Sequence, residues 1–246
     1  MIQFTGISIT PYFFNFFMSD YLVSSGVLKI LILAGYIMFM CDVSQKKEFF
    51  NYCVIRTGKK AWITGDLLFV GGVSFLYTCC ICLFSILCFV PHISFEGDWG
   101  KIIGTLAYTD AGAYFAPDII IPKAVLEMYS PAAATFLSVL LMFLGCTMLG
   151  TVIYFVNTLT GLKLPGPGIA CFLIFLSPVV TYLRNINFHW ISPVSWISIA
   201  ELAPAAEIGY PPISYAVGML LAIPAVMITV LYIYIKKIEI GGSFHE

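Results

Sequence analysis

Long apolar runs separated by short polar stretches dominate this sequence, and they constrain the fold more than any motif does. Five such runs cover about residues 21–42, 62–90, 131–157, 169–183 and 213–235. Hydrophobic residues make up 60% of the chain and charged residues only 10%, whereas soluble domains carry about 25% charged residues. A helix crosses a bilayer with roughly 20 mostly apolar residues. The sequence therefore predicts an all-α integral membrane protein, with residues 1–246 as a single transmembrane domain that contains five clear spans.

The first 20 residues are aromatic and apolar, but Pro11 and Asn15 interrupt them. This pattern favours an interfacial or re-entrant segment over a full span. Five spans would place the two chain ends on opposite sides of the membrane. We therefore also expect a sixth span, either a short first helix within residues 1–18 or one that precedes Met1.

Basic residues concentrate in the stretch 43–61, which holds five of the 12 Lys and Arg residues: Lys46, Lys47, Arg56, Lys59 and Lys60. Short loops rich in Lys and Arg stay on the cytoplasmic side of a membrane. With 158–168 and 236–246 on the same side, eight of the 12 basic residues lie there. The sequence thus predicts a multi-pass protein with its carboxyl terminus in the cytoplasm.

Two longer polar stretches, 92–130 and 184–212, are predicted on the outer side. Within the first, residues 99–116 fit an amphipathic helix at the interface, and PKAVLEMY fits a second short helix that begins near Pro122. The second contains Trp190, Trp196 and four prolines. Because Trp prefers the headgroup level, we expect short helices that dip back into the outer interface before the last span.

Lys29 lies inside the first apolar run, and two interpretations remain open. Its ammonium group could snorkel to the nearby interface, or it could face a wet cavity inside the bundle. None of the eight cysteines lies in the two predicted outer stretches, and at bilayer depth cysteines are expected to act as small apolar residues.

Several function classes lack their signatures. The sequence contains no phosphate-binding loop, no HExxH and no G-x-S-x-G, so ATP hydrolysis, zinc proteolysis and serine proteolysis by this chain are not expected. No carboxylate occupies a convincing midplane position in the five runs, which disfavours a proton relay. A net charge of -1 gives no reason to expect a nucleic-acid partner. We expect no metal or cofactor in the chain itself.

The arrangement resembles the permease subunits of ABC-2 type transporters in bacteria, in their Firmicute-like version. The local match is strongest in CDVSQKKEFFNYCVIRTGKKAWITGDLLF, residues 41–69. ITPYFFNFFMSD, YSPAAATFLSVLLMFLGCTMLGTVIYFVNTLTG and SPVSWISI are also similar to segments of that family. The resemblance implies the helical bundle of type V exporters, located in the bacterial cytoplasmic membrane.

The resemblance further implies that a separate ABC ATPase subunit supplies ATP and Mg²⁺ chemistry and that a second permease copy completes the pathway. A cytoplasmic coupling helix would span residues 48–55 and dock in a groove on that ATPase. The residues implied in coupling are Glu48, Phe49, Phe50, Tyr52, Arg56, Lys59 and Lys60. Lys29, Trp190 and Trp196 are candidates for the pathway or its outer gate. The cargo would be hydrophobic or amphipathic: a peptide, a lipid-like molecule or a drug.

Three alternatives remain open from the sequence. The basic stretch could only bind anionic lipid and fix topology. The chain could be a non-transporting scaffold or sensor subunit of a larger complex. It could also be a channel or an intramembrane enzyme, which would need a polar cluster at the midplane.

Overall fold

The computed structural model describes residues 8–18, 26–41, 56–90, 92–95, 97–109, 121–183, 185–203, 206 and 209–237. The α-helices whose bounds lie within these residues are α1 (Val27–Met40), α2 (Lys59–Leu87), α3 (Gly100–Tyr108), α4 (Lys123–Met128), α5 (Pro131–Thr160), α6 (Pro165–Leu183), α7 (Ile186–His189) and α8 (Ile213–Lys237). Three short 3-10 helices cover Phe13–Phe16, Ser195–Ile197 and Ile199–Glu201. Over this part of the chain β-structure is limited to two isolated bridges.

Four of these helices, α2, α5, α6 and α8, are long and apolar enough to cross a membrane. They match four of the predicted runs to within a few residues, in agreement with a helical membrane protein. The run at 21–42 differs, because α1 has only 14 residues. It begins after Gly26, whose positive φ of 71° stops a helix from extending backwards. At 1.5 Å per residue α1 is about 21 Å long, short of a hydrocarbon core of about 30 Å, so the described residues contain four full-length spans and not five.

Helix α5 forms the centre of the bundle, packed against α2, α6 and α8. In its most apolar stretch 67% of residues are buried, against 17% for α2. Local sequence fixes both ends of α5. The Ser130 side chain accepts a hydrogen bond from the Ala133 N–H at the start, and Gly161 closes the helix with φ of 68°. A helix that is apolar on all sides is typically buried among other elements. Helix α5 fits this rule, because α2, α6 and α8 pack against it.

Two glycines let other elements approach α5 closely. A side chain at Gly145 would overlap the Ile197 side chain. Ile197 belongs to residues 184–212, which we call the outer segment after their predicted location. A side chain at Gly150 would meet the Tyr36 hydroxyl and lie 2.7 Å from Val70 Cγ1. Small residues at these points therefore allow α1, α2 and the outer segment to lie against the same helix.

We expect Gly145→Val to displace the outer segment and to lower the free energy of unfolding by about 1–3 kcal/mol, the usual cost of overpacking. The matched control is Gly218→Val on α8, where a Cβ would meet no atom within 4 Å. Denaturant titration of the protein in mixed micelles measures both. Equal stability of the two variants would contradict the close approach at Gly145.

The opposite end from Lys59 carries the predicted outer helices. Helix α3 buries one face through Ile102, Ile103 and Ala107, which agrees with the first half of the amphipathic helix predicted over 99–116, while residues 110–116 lie outside the described residues. Helix α4 begins directly after Pro122. Residues 8–18 pack beside α3: the Thr10 hydroxyl donates to the carbonyl of Trp99, the residue before α3, at 2.7 Å. Within 8–18 only Phe13–Phe16 is helical, so these residues are not a short first span.

Candidate functional site

A buried ion pair lies near the end of the bundle where α3 and α4 lie. Lys29 is in the first turn of α1 and only 1% exposed, while Glu201 is 2% exposed. Lys29 Nζ lies 3.5 Å from Glu201 Oε1 and donates a hydrogen bond to Ser177 Oγ at 2.9 Å. The snorkelling interpretation of Lys29 is therefore wrong, because the ammonium group points into the bundle and meets a carboxylate there.

Three elements that are distant in sequence supply this site. Lys29 comes from α1, Ser177 from α6 directly before the helix-interior Pro178, and Glu201 from the 3-10 helix Ile199–Glu201. Ser195 Oγ lies 3.4 Å from Ser177 Oγ and extends the polar contact into the same outer segment. The site therefore fastens α1 and α6 to the outer segment through polar groups inside an apolar bundle.

Glu201 was not predicted as a site residue, because it lies outside the five apolar runs. A signal was nevertheless present in the three-residue spacing of Ser192, Ser195, Ser198 and Glu201. That spacing matches the 3.0 residues per turn of a 3-10 helix. In the structure, the N–H groups of Ser195, Ser198 and Glu201 each donate to the carbonyl three residues earlier, at 3.2–3.4 Å.

All residues from 192 to 202 are buried. Non-helical backbone at membrane depth is tolerated only where protein surrounds it and its polar groups are paired. The successive i to i+3 hydrogen bonds provide part of that pairing. Short helices were predicted before the last span and are present. They were predicted to dip into the outer interface, whereas the structure shows residues 192–202 enclosed by protein.

The strength of the Lys29–Glu201 contact depends on whether water reaches it. Removing one partner of a buried pair costs about 3–5 kcal/mol, because the other charge stays in an apolar environment. Once water enters, an exposed pair is worth only about 0–1 kcal/mol. Such a contact holds firmly while the site is dry and separates easily when it is wet.

The two tryptophans predicted at the outer interface occupy different environments. Trp196 is 2% exposed and its Nε1 donates to the His189 carbonyl at 2.8 Å. Trp190 is 37% exposed and its Nε1 donates to the Gly209 carbonyl at 2.9 Å. Both rings contact Tyr215 on α8, with centroids 4.8 Å away for Trp190 and 5.5 Å for Trp196. Trp196 is thus a core residue that fixes α8 to the outer segment, and only Trp190 reaches the surface.

The whole of the predicted coupling helix, residues 48–55, lies outside the described residues, and Glu48, Phe49, Phe50 and Tyr52 lie there with it. Arg56 and Lys60 are exposed and Lys59 is half-buried at the start of α2. Lys163, in the connection between α5 and α6, is also exposed. These four residues mark what we call the basic end of the bundle, opposite the Lys29–Glu201 pair.

No family model matches the chain, and no curated protein or solved structure matches it either. The likeness to ABC-2 permeases therefore rests on the sequence segments quoted above.

Proposed function

We propose that this chain is the transmembrane permease subunit of an ATP-driven exporter in a bacterial cytoplasmic membrane. A separate ATPase subunit would hydrolyse ATP, and a second permease copy would complete the path of a hydrophobic or amphipathic cargo. The carboxyl terminus would lie in the cytoplasm, on the same side as the basic end.

The observation that carries the proposal is the buried Lys29–Glu201 pair. Charged residues inside a membrane bundle are rare and usually mark a transport path or a moving part. This pair joins α1, α6 and the outer segment at the end opposite the basic residues. A contact that is strong when dry and weak when wet suits an outer gate, which must close against the outside and open once in each cycle.

The basic end of the bundle supports the proposed contact with an ATPase subunit. Phe49 and Tyr52 would enter a groove on the ATPase, and Arg56, Lys59 and Lys60 would contact its rim, in the helix-in-groove mode of recognition. Of these residues, Arg56 and Lys60 are exposed, as a contact with another chain requires. The exposed residues of the spanning helices are largely aromatic and aliphatic, in keeping with lipid contact and a cargo of low polarity.

The proposal predicts that an ATPase is isolated together with this chain. Mild-detergent purification from the native membrane should yield a polypeptide with a phosphate-binding loop in stoichiometric amount, and its ATP hydrolysis should change when the two chains are separated. Recovery of the intact chain without an ATPase would contradict the proposal. An associated ATPase that drives no cargo movement would favour the scaffold or sensor function instead.

A further inference from the structure

Two tyrosines join α1 to α2 through hydrogen bonds within the apolar bundle. The Tyr77 hydroxyl of α2 donates to the Ile32 carbonyl of α1 at 2.6 Å. The Tyr36 hydroxyl of α1 lies 2.8 Å from Ser74 Oγ of α2. Since the Ser74 hydroxyl donates its only proton to the Val70 carbonyl, Tyr36 is the donor in that contact. Each helix therefore donates one hydrogen bond to the other, and we call these two contacts the tyrosine link.

The tyrosine link depends on close approach at two glycines. A Cβ at Gly35 would lie 2.8 Å from the Tyr77 hydroxyl, and a Cβ at Gly150 of α5 would overlap the Tyr36 hydroxyl. The two tyrosine rings also contact each other, with centroids 5.5 Å apart. Because Tyr36 and Ser74 are fully buried, water does not compete for their hydrogen bond, and breaking it leaves a buried donor without a partner.

The tyrosine link lies close to the buried ion pair. Ile32 follows Lys29 by three residues, which is about 4.5 Å along α1. Tyr77 follows Lys59, the first residue of α2, by 18 residues, which is about 27 Å along that helix. Helix α2 therefore connects the basic end of the bundle with the level at which Lys29 is held.

Helices α1 and α2 share little other packing. Helix α1 packs mainly against α6 and α5, whereas α2 packs mainly against α5. Helix α2 is also the least buried of the four spans, with 17% of its most apolar stretch inside the bundle. Without the tyrosine link, α2 would therefore be free to tilt on α5 without displacing α1.

We propose that the tyrosine link makes α1 and α2 move as one body and so passes a movement of α2 on to the ion pair. Tyr36 and Tyr77 are then positioning residues. A tilt of α2 displaces Ile32 and carries the Lys29 ammonium away from Glu201, which lets water reach the pair and weakens it. The role in transport rests on the proposed function, because it needs an ATPase to move the basic end of α2, whereas the mechanical linkage of the two helices does not.

The linkage is tested by distance measurements between spin labels carried on non-canonical residues, with the protein in lipid nanodiscs. One pair of labels, at Leu31 of α1 and Leu68 of α2, spans the tyrosine link. A second pair, at Leu31 and at Phe172 of α6, reports on packing that the link does not make; all three positions are exposed. We expect Tyr36→Phe/Tyr77→Phe to make the α1–α2 distribution roughly double in width, because the freed helices sample more relative orientations, and to leave the α1–α6 distribution unchanged.

A glycine substitution breaks the link while both tyrosines stay in place. Gly35→Ala brings a Cβ to 2.8 Å from the Tyr77 hydroxyl and should widen the α1–α2 distribution, whereas Gly72→Ala, whose Cβ meets no atom within 4 Å, should not. Tyr182→Phe removes an exposed hydroxyl from α6 and should change neither distribution. An unchanged α1–α2 distribution in Tyr36→Phe/Tyr77→Phe would overturn the linkage. If that double variant does not fold, an unchanged distribution in Gly35→Ala would overturn it instead.

The transport role has its own measurement, made in vesicles that contain the complex with the ATPase. Tyr36→Phe/Tyr77→Phe should keep the ATPase bound and active, and should lower the amount of amphipathic dye moved per ATP hydrolysed about fivefold or more, as a lost coupling between sites does. Widened distances with unchanged dye movement per ATP would overturn the transport role of the link while leaving the permease proposal intact. If the wild-type complex itself moves no dye, the proposed function fails and the transport role fails with it, while the distances still decide the linkage.

Discussion

Replacing Glu201 with Leu should lower the free energy of unfolding by about 3–5 kcal/mol, because the Lys29 ammonium would stay buried without its carboxylate. Lys29→Met should have a cost of similar size for the converse reason. The double variant Lys29→Met/Glu201→Leu should recover most of the loss, since it removes both charges and fills the site with apolar atoms. Denaturant titration in mixed micelles measures this cycle, with the exposed Lys123→Met of α4 as a control that should change stability by less than about 0.5 kcal/mol.

The same variants separate an outer gate from a purely structural pair. If the pair closes the outer end, vesicles that contain Glu201→Gln should leak a small amphipathic dye without ATP, and the wild type should hold it. If the pair only stabilises the fold, Glu201→Gln should lower stability without any leak. Additive losses in the double variant would contradict direct coupling of the two charges.

Phe49→Ala/Tyr52→Ala should lower ATP-driven export about tenfold or more, because buried aromatic anchors carry most of the binding energy in a helix-in-groove contact. Membrane insertion should be unaffected, since topology follows the neighbouring Lys and Arg residues and not the aromatic ones. Export from vesicles, normalised to the amount of inserted protein, measures the effect. The control is Phe95→Ala, a highly exposed aromatic residue at the opposite end.

The variant Phe49→Ala/Tyr52→Ala also decides whether the basic stretch 43–61 docks on an ATPase or only binds lipid. If the stretch only contacts anionic lipid, Lys46→Ala/Lys47→Ala should weaken membrane association of a peptide covering 42–61, and the aromatic double variant should export normally. Unchanged export by Phe49→Ala/Tyr52→Ala would therefore remove the coupling-helix assignment.

The positions of the long helices followed from the sequence because their causes are local. The length of each apolar run sets the length of the helix that forms there. Pro131 and Pro165 mark where α5 and α6 begin, and Gly161 marks where α5 ends. The limit of α1 was harder to predict. The predicted run begins at residue 21, and a glycine in the sequence does not by itself reveal the positive φ that Gly26 has in the structure.

The candidate site could be predicted only in part, because its geometry is not local. Lys29 was recognised as unusual, but its partner Glu201 lies 172 residues further along the chain, and no periodicity connects them. Trp190 and Trp196 look alike in sequence, yet one reaches the surface and the other packs beneath it against Tyr215. The assignments of Glu48, Phe49, Phe50 and Tyr52 to coupling stay predictions.

The most direct measurement of the central claim is ATP-dependent uptake of a fluorescent amphipathic dye by inside-out vesicles. These vesicles contain this chain with its associated ATPase and expose the basic end to the medium. The account predicts that the dye accumulates in the lumen when ATP and Mg²⁺ are added outside, and that it does not when a non-hydrolysable analogue replaces ATP. Equal dye content with ATP, with the analogue and without nucleotide, across a panel of peptide-like, lipid-like and drug-like dyes, would contradict it.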